Sequence, residues 1–148
     1  MSPPLAVAFA LGVAAHALLA SVIPSPWWVP NLTLVTLVLL VARAPGRWLI
    51  LSWLAGIFMM VWAVRFPGPV FTGYLLVGWA VQALSKHWDT TDPRAERLMV
   101  GLASLCLTVG VLWLESLWSV ALVGLAVVQA GLTVLAVPLT RRVVGRAP

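Results

Sequence analysis

Apolar blocks alternate with short breaks along the whole chain. The blocks run over residues 4–23, 30–44, 48–64, 70–84, 93–114 and 117–139. The breaks between them read PSPWWVP, APGR, RFPGP, SKHWDTTDPRAER and ES, and a basic tail, TRRVVGRAP, closes the chain. Each break carries proline, glycine or charge, the usual helix punctuation. Within the blocks apolar residues are continuous. Barrel strands would instead alternate apolar and polar positions over about 10 residues. The pattern therefore predicts an all-α integral membrane protein. It would have six transmembrane helices with short loops, forming a single membrane domain over residues 1–148. In the longest polar break, Asp92 is placed to cap a helix whose first position is Pro93, with Glu96 in its first turn.

The second block is the difficult one. Pro30 to Ala44 is 15 residues, about 22 Å of helix against a hydrocarbon core of ~30 Å. It could cross as a short span or turn back as a re-entrant segment. Re-entrant segments favour small-residue, irregular backbone, and this block is rich in Leu and Val with no glycine before Pro45. Trp27 and Trp28 stand at one end and arginines at the other, as interfacial anchors would. A crossing helix is expected, its shortfall taken up by local thinning or by a partly immersed PSPWW turn. The first block has no positive region before it, so it reads as a retained helix rather than a cleaved signal peptide.

Composition agrees with the pattern. The chain is 62% hydrophobic and 9% charged, against roughly 25% charged in a soluble domain. The formal net charge of +5 would suggest nucleic acid in a soluble protein. Here the cations flank apolar blocks, which makes them topology signals and lipid contacts, with no nucleic-acid partner. With six spans, Arg43, Arg47, Lys86, Arg94, Arg97, Arg141, Arg142 and Arg146 share one side with the N-terminus, and only Arg65 lies opposite. This bias puts both termini in the cytoplasm. Five spans with an external N-terminus would give the same count, so charge alone does not fix the number of spans. Trp62, Trp113 and Trp118 fall near the outer rim, and Trp48 and Trp88 near the inner one.

Candidate chemistry is sparse. No nucleophile, metal or cofactor motif is present, so no catalytic, cofactor or metal residue is assigned and the chain reads as a non-enzyme. His16 is the one ionisable residue at membrane depth, either a proton relay or a histidine packed against a neighbouring helix. The four acids, Asp89, Asp92, Glu96 and Glu115, read as loop or rim residues, which argues against an ion-coupled transporter. His87, Asp89 and Asp92 read as a solvated loop with a helix cap rather than a metal site. Arg65 and Glu115 are expected to approach each other at the outer rim, beside Trp27 and Trp28. Gln82 and Gln129 read as interhelical hydrogen-bonding residues, and Cys106 as a small packed hydrophobe. In the first block Ala6, Ala10 and Ala14 recur at four-residue spacing, with Ala8, Gly12 and Ala20 on a neighbouring stripe. Such faces let helices approach closely in lipid, either inside the bundle or against a partner's transmembrane helix.

Two stretches, PNLTLVTLVLLVARAPGR and LAGIFMMVWAVRFPGPVFTGYLLVGWAVQAL, carry a resemblance to the rod shape-determining protein MreD family of bacteria. The match covers Pro30 to Leu84 in motif and the whole chain in layout and size. The chain departs from the family in having Asn31 where Asp is frequent, and Met59-Met60-Val61 where an acid is frequent. The resemblance implies a scaffold of the elongation complex that makes lateral peptidoglycan. Its main partner would be MreC, and it would link cytoskeletal MreB to RodA and its transpeptidase partner. It also implies a fold similar to the S component of energy-coupling-factor transporters. That similarity supplies an alternative reading as a vitamin-binding S component, whose helix-one Ala-x-x-x-Ala face meets its membrane partner. A vitamin pocket would need converging polar groups at the outer side, and PSPWWVP offers none that is charged. A small channel or exporter is a third class.

Overall fold

The computed structural model describes residues 3–62, 67–90 and 92–144. Among these residues the chain forms six α-helices: α1 (Pro3–Val22), α2 (Leu32–Arg43), α3 (Trp48–Trp62), α4 (Pro67–Leu84), α5 (Pro93–Leu114) and α6 (Val120–Val144). Single 3₁₀ turns at Pro26–Trp28 and Pro45–Arg47 flank α2. Five stretches are long and apolar enough to cross a bilayer: Pro4–Val22, Pro26–Arg43, Pro45–Trp62, Pro93–Leu114 and Val120–Val144. α4 is not among them.

Three helix starts differ from expectation by two residues or more, each for a local reason. α2 starts at Leu32 rather than Pro30, because Asn31 is its N-cap and its side chain accepts from the Leu34 N–H at 3.0 Å. α4 starts at Pro67 rather than Val70. Pro67 and Pro69 sit in the first turn, where a missing N–H costs nothing. α6 starts at Val120 rather than Leu117: Ser116 adopts a left-handed φ of 55°, and the Ser119 hydroxyl then accepts from the Leu122 N–H at 3.1 Å. α6 also runs past Leu139 to Val144, carrying Pro138 on its exposed side. Asp92 caps α5 as expected, its Oδ1 accepting from the Arg94 N–H at 2.8 Å.

The organising element is α2. Every residue from Thr33 to Ala42 is buried, and α1, α3, α4, α5 and α6 all pack on it. A helix apolar on all sides belongs in the centre of a bundle. Its 12 residues are shielded by protein, so its length need not match a bilayer. Close approach to neighbours is set by small residues. A Cβ added at Gly12 of α1 would strike the Thr36 side chain on α2, and one at Gly78 of α4 would strike the Ser52 hydroxyl on α3. α3 and α4 form the most extensively packed pair. α1 is the most peripheral helix, resting on α2 and touching α6.

Candidate functional site

The described cations gather at one end of the bundle, the basic end. There three helix termini meet. Glu96, in the first turn of α5, is fully buried. Its Oε1 lies 3.3 Å from Arg43 Nη2 at the end of α2, and its Oε2 lies 3.2 Å from Arg141 Nε in the last turn of α6. Each charge also suits its helix end, an acid at an N-terminus and bases at C-termini. Neither oxygen accepts an aligned N–H, so these are charge contacts. Arg43 Nη1 donates instead to the Leu39 carbonyl at 3.1 Å. The Thr90 hydroxyl, in the loop before α5, reaches the Ala42 carbonyl at 3.5 Å and closes that loop over the end of α2. The expectation that all four acids are rim or loop residues is therefore corrected for Glu96. Arg43 and Arg141 are ion-paired rather than only lipid-facing. Sequence alone missed this because the partners are distant in the chain and sit on different helices.

The opposite end of α2 is held without charge. Asn31 Nδ2 donates to Tyr74 Oη on α4 at 2.7 Å, and the phenol hydroxyl can donate to Asn31 Oδ1, 2.9 Å away. The Asn31 N–H donates to Thr133 Oγ1 on α6 at 3.0 Å, and that hydroxyl donates to the Gln129 carbonyl at 2.7 Å. The Gln129 side chain reaches back, its Nε2 donating to the Pro26 and Val29 carbonyls at 3.2 and 3.4 Å. Asn31 suits this place because its amide offers a donor and an acceptor at once, whereas a carboxylate only accepts. Gln129 thus bonds between elements as expected. The Gln82 side chain makes no such bond among the described residues.

Above this network lies a cavity of about 370 Å³. Five helices, α1 and α3 to α6, contribute to it, as do Asn31 at the cap of α2 and the turn from Pro24 to Val29. Its polar lining comes from His16, Asn31, Tyr74, Thr108 and Gln129, and its aromatic lining includes Trp27 and Trp62. No Lys, Arg, Asp or Glu is among its described lining residues. His16 is buried, stands edge-on to Phe58 of α3 at 6.4 Å between centroids, and faces the Pro30 carbonyl. Its Nδ1 has no hydrogen-bond partner. The polar groups that converge here come from helices rather than from the PSPWWVP loop, which is where the sequence argument looked for them.

The remaining sequence candidates fall as follows. On α1, Ala8 and His16 are buried and Gly12 packs against α2, while Ala10 and Ala14 are exposed and Ala6 is half-buried. The two small-residue stripes therefore separate, one facing the bundle and one facing out. Arg47, Lys86, Arg94, Arg97 and Arg142 are exposed at the basic end. Glu115 is the C-cap of α5 at the opposite end, and Trp28 is exposed there. Arg65 and Arg146 lie outside the described residues, and so does the Arg65–Glu115 approach. Cys106 is exposed rather than packed, because it sits on the outer face of α5. Trp62 and Trp113 stand at helix ends opposite the basic end, and Trp48 and Trp88 at the basic end, as expected.

No family model, curated protein or solved structure matches the chain.

Proposed function

We propose that this chain is a non-enzymatic membrane scaffold of the bacterial elongation machinery, an MreD-like protein that binds MreC. In this reading it crosses the plasma membrane six times with both termini and the basic end in the cytoplasm, where anionic headgroups and MreB would meet its arginines. RodA and its transpeptidase partner would be contacted through MreC or directly. The observation that carries the reading is the outward face of α1. Ala8, Gly12 and His16 are used against the bundle, yet Ala10 and Ala14 remain exposed at four-residue spacing. Small residues at that spacing suit a second transmembrane helix. The stretch that carries the family resemblance, Pro30–Leu84, supplies the central helix and the α3–α4 pair.

The test is co-purification in mild detergent after co-expression with MreC. The protein is expected to retain MreC, and Ala10→Trp with Ala14→Trp is expected to release it while the variant stays monodisperse. Failure to retain MreC sinks the reading. The alternative, an S component of an energy-coupling-factor transporter, gains support from the cavity opposite the basic end. It predicts retention of that transporter's membrane partner instead of MreC.

A further inference from the structure

A groove between α1 and α6 belongs neither to the outward Ala10 and Ala14 face nor to the Glu96 cluster. We infer that it seats an acyl chain of one anionic phospholipid, whose headgroup lies at the basic end beside Arg142. Three observations carry this.

The first is the shape of the groove. It runs along α1 from Ala8 to Leu19 and along α6 from Ala136 to Val144, with Pro30 and Leu32 lining its far end. Its rise along α1 makes it about 16 Å long. Small residues open it, Gly12 and Ala15 on α1 and Ala136 on α6, and α1 touches α6 only lightly. Its volume is about 410 Å³. A helix of that length, about 10–12 Å across, would need roughly 1,300–1,900 Å³. A partner's helix would therefore rest on the rim, whereas an extended hydrocarbon chain enters.

The second is the chemistry of the walls. Thr140 is the one polar side chain among the described lining residues, and its hydroxyl already donates to the Ala136 carbonyl at 3.1 Å. Water would find no partners there, and a ligand with a polar edge would leave that edge unsatisfied. A run of methylenes has nothing to satisfy.

The third is charge at the open end. The groove reaches Val143 and Val144, next to Arg142 in the chain. Arg142 is exposed and has no ion-pair partner among the described residues. Neither α1 nor α6 carries an acid, and the charge of Glu96 on α5 is taken up by Arg43 and Arg141. A phosphodiester at this mouth meets a free cation, the arrangement that draws anionic headgroups to basic residues beside membrane helices. The inference needs only that the basic end lies in a lipid leaflet. It holds for either orientation and for any partner of α1.

The experiment uses the full chain, purified in detergent and stripped of lipid. It is mixed with equal amounts of phosphatidylglycerol and phosphatidylcholine of identical acyl chains and weighed by native mass spectrometry. One phosphatidylglycerol per chain is expected, favoured about fivefold over phosphatidylcholine, the worth of one arginine near a headgroup. Arg142→Gln is expected to bring that ratio close to one. Ala15→Phe, which fills the groove from α1, is expected to abolish retention of both lipids. Leu135→Trp, on the exposed side of α6, is expected to leave it intact. If Ala15→Phe does not give a monodisperse helical protein, Thr140→Phe fills the same space from α6. Three results overturn the inference: equal retention of the two lipids, a ratio unchanged by Arg142→Gln, or a lipid that survives groove filling. Displacement of the phospholipid by palmitate at equal concentration overturns it as well, by showing a free fatty acid as the occupant.

Discussion

Asn31 and Tyr74, 43 residues apart, meet through their side chains at 2.7 Å and join the start of α2 to α4. The contact is buried, and Asn31 also caps α2 through the Leu34 N–H. Tyr74→Phe leaves the Asn31 amide without that partner and is expected to lower stability by about 1–3 kcal/mol. Asn31→Ala is expected to cost more, because the cap is worth about 1 kcal/mol on its own. Reversible unfolding in mixed micelles measures both. A neutral Tyr74→Phe would show that the pair does not lock the helix.

At the other end of α2, Glu96 holds Arg43 and Arg141. Removing one member of a buried ion pair typically costs about 3–5 kcal/mol. The two arginine side chains are 25% and 37% exposed, so water screens part of that loss. Glu96→Gln is expected to fall at or below the lower bound. Replacing all three with apolar residues of similar volume is expected to restore much of the loss, since the desolvation penalty disappears with the charges. The same unfolding assay compares the single and triple variants. A neutral Glu96→Gln contradicts a structural role for the cluster.

How much of this was legible in the sequence follows from what each signal depends on. The helices were legible because apolar runs and proline breaks are local, and Asp92-Pro93 announced the start of α5 correctly. The central place of α2 was present in the pattern too, as a run with no polar face between Leu34 and Ala42, yet the pattern was read only as a short crossing helix. Sequence distinguishes apolar from polar, but it does not distinguish lipid from protein as the apolar neighbour. The Glu96 cluster and the His16 cavity were missed for a different reason. Each is assembled from helices far apart in the chain, and a lone acid in a first turn resembles any helix-dipole residue. Asn31, noted as a departure from a resembling family, becomes intelligible only once Tyr74 and Thr133 stand beside it.

Helix contact through small residues gives a third prediction. A Cβ at Gly78 overlaps the Ser52 hydroxyl, whereas Gly124 has nothing within 4 Å. Gly78→Ala is expected to lower stability by roughly 1–3 kcal/mol through overpacking. Gly124→Ala is expected to be neutral or to stabilise α6 by up to about 1 kcal/mol. Ser52→Ala should recover part of the Gly78→Ala loss, which a double-mutant cycle reads directly.

Topology is tested by single-cysteine labelling in a Cys106→Ser background. With six spans, an impermeant maleimide is expected to label Glu115→Cys in intact spheroplasts and to reach Lys86→Cys only after lysis. Labelling of Lys86→Cys before lysis would place the basic end outside and reverse the orientation proposed here.

The most direct test of the scaffold account is site-specific photocrosslinking along α1 in cells that carry MreC. A photoreactive residue at Ala10 or Ala14 is expected to capture MreC, while one at Ala8 or His16, which face the bundle, is expected to capture none. Crosslinks absent from both exposed positions, or present equally around the helix, would contradict the claim that this face of α1 receives a partner helix.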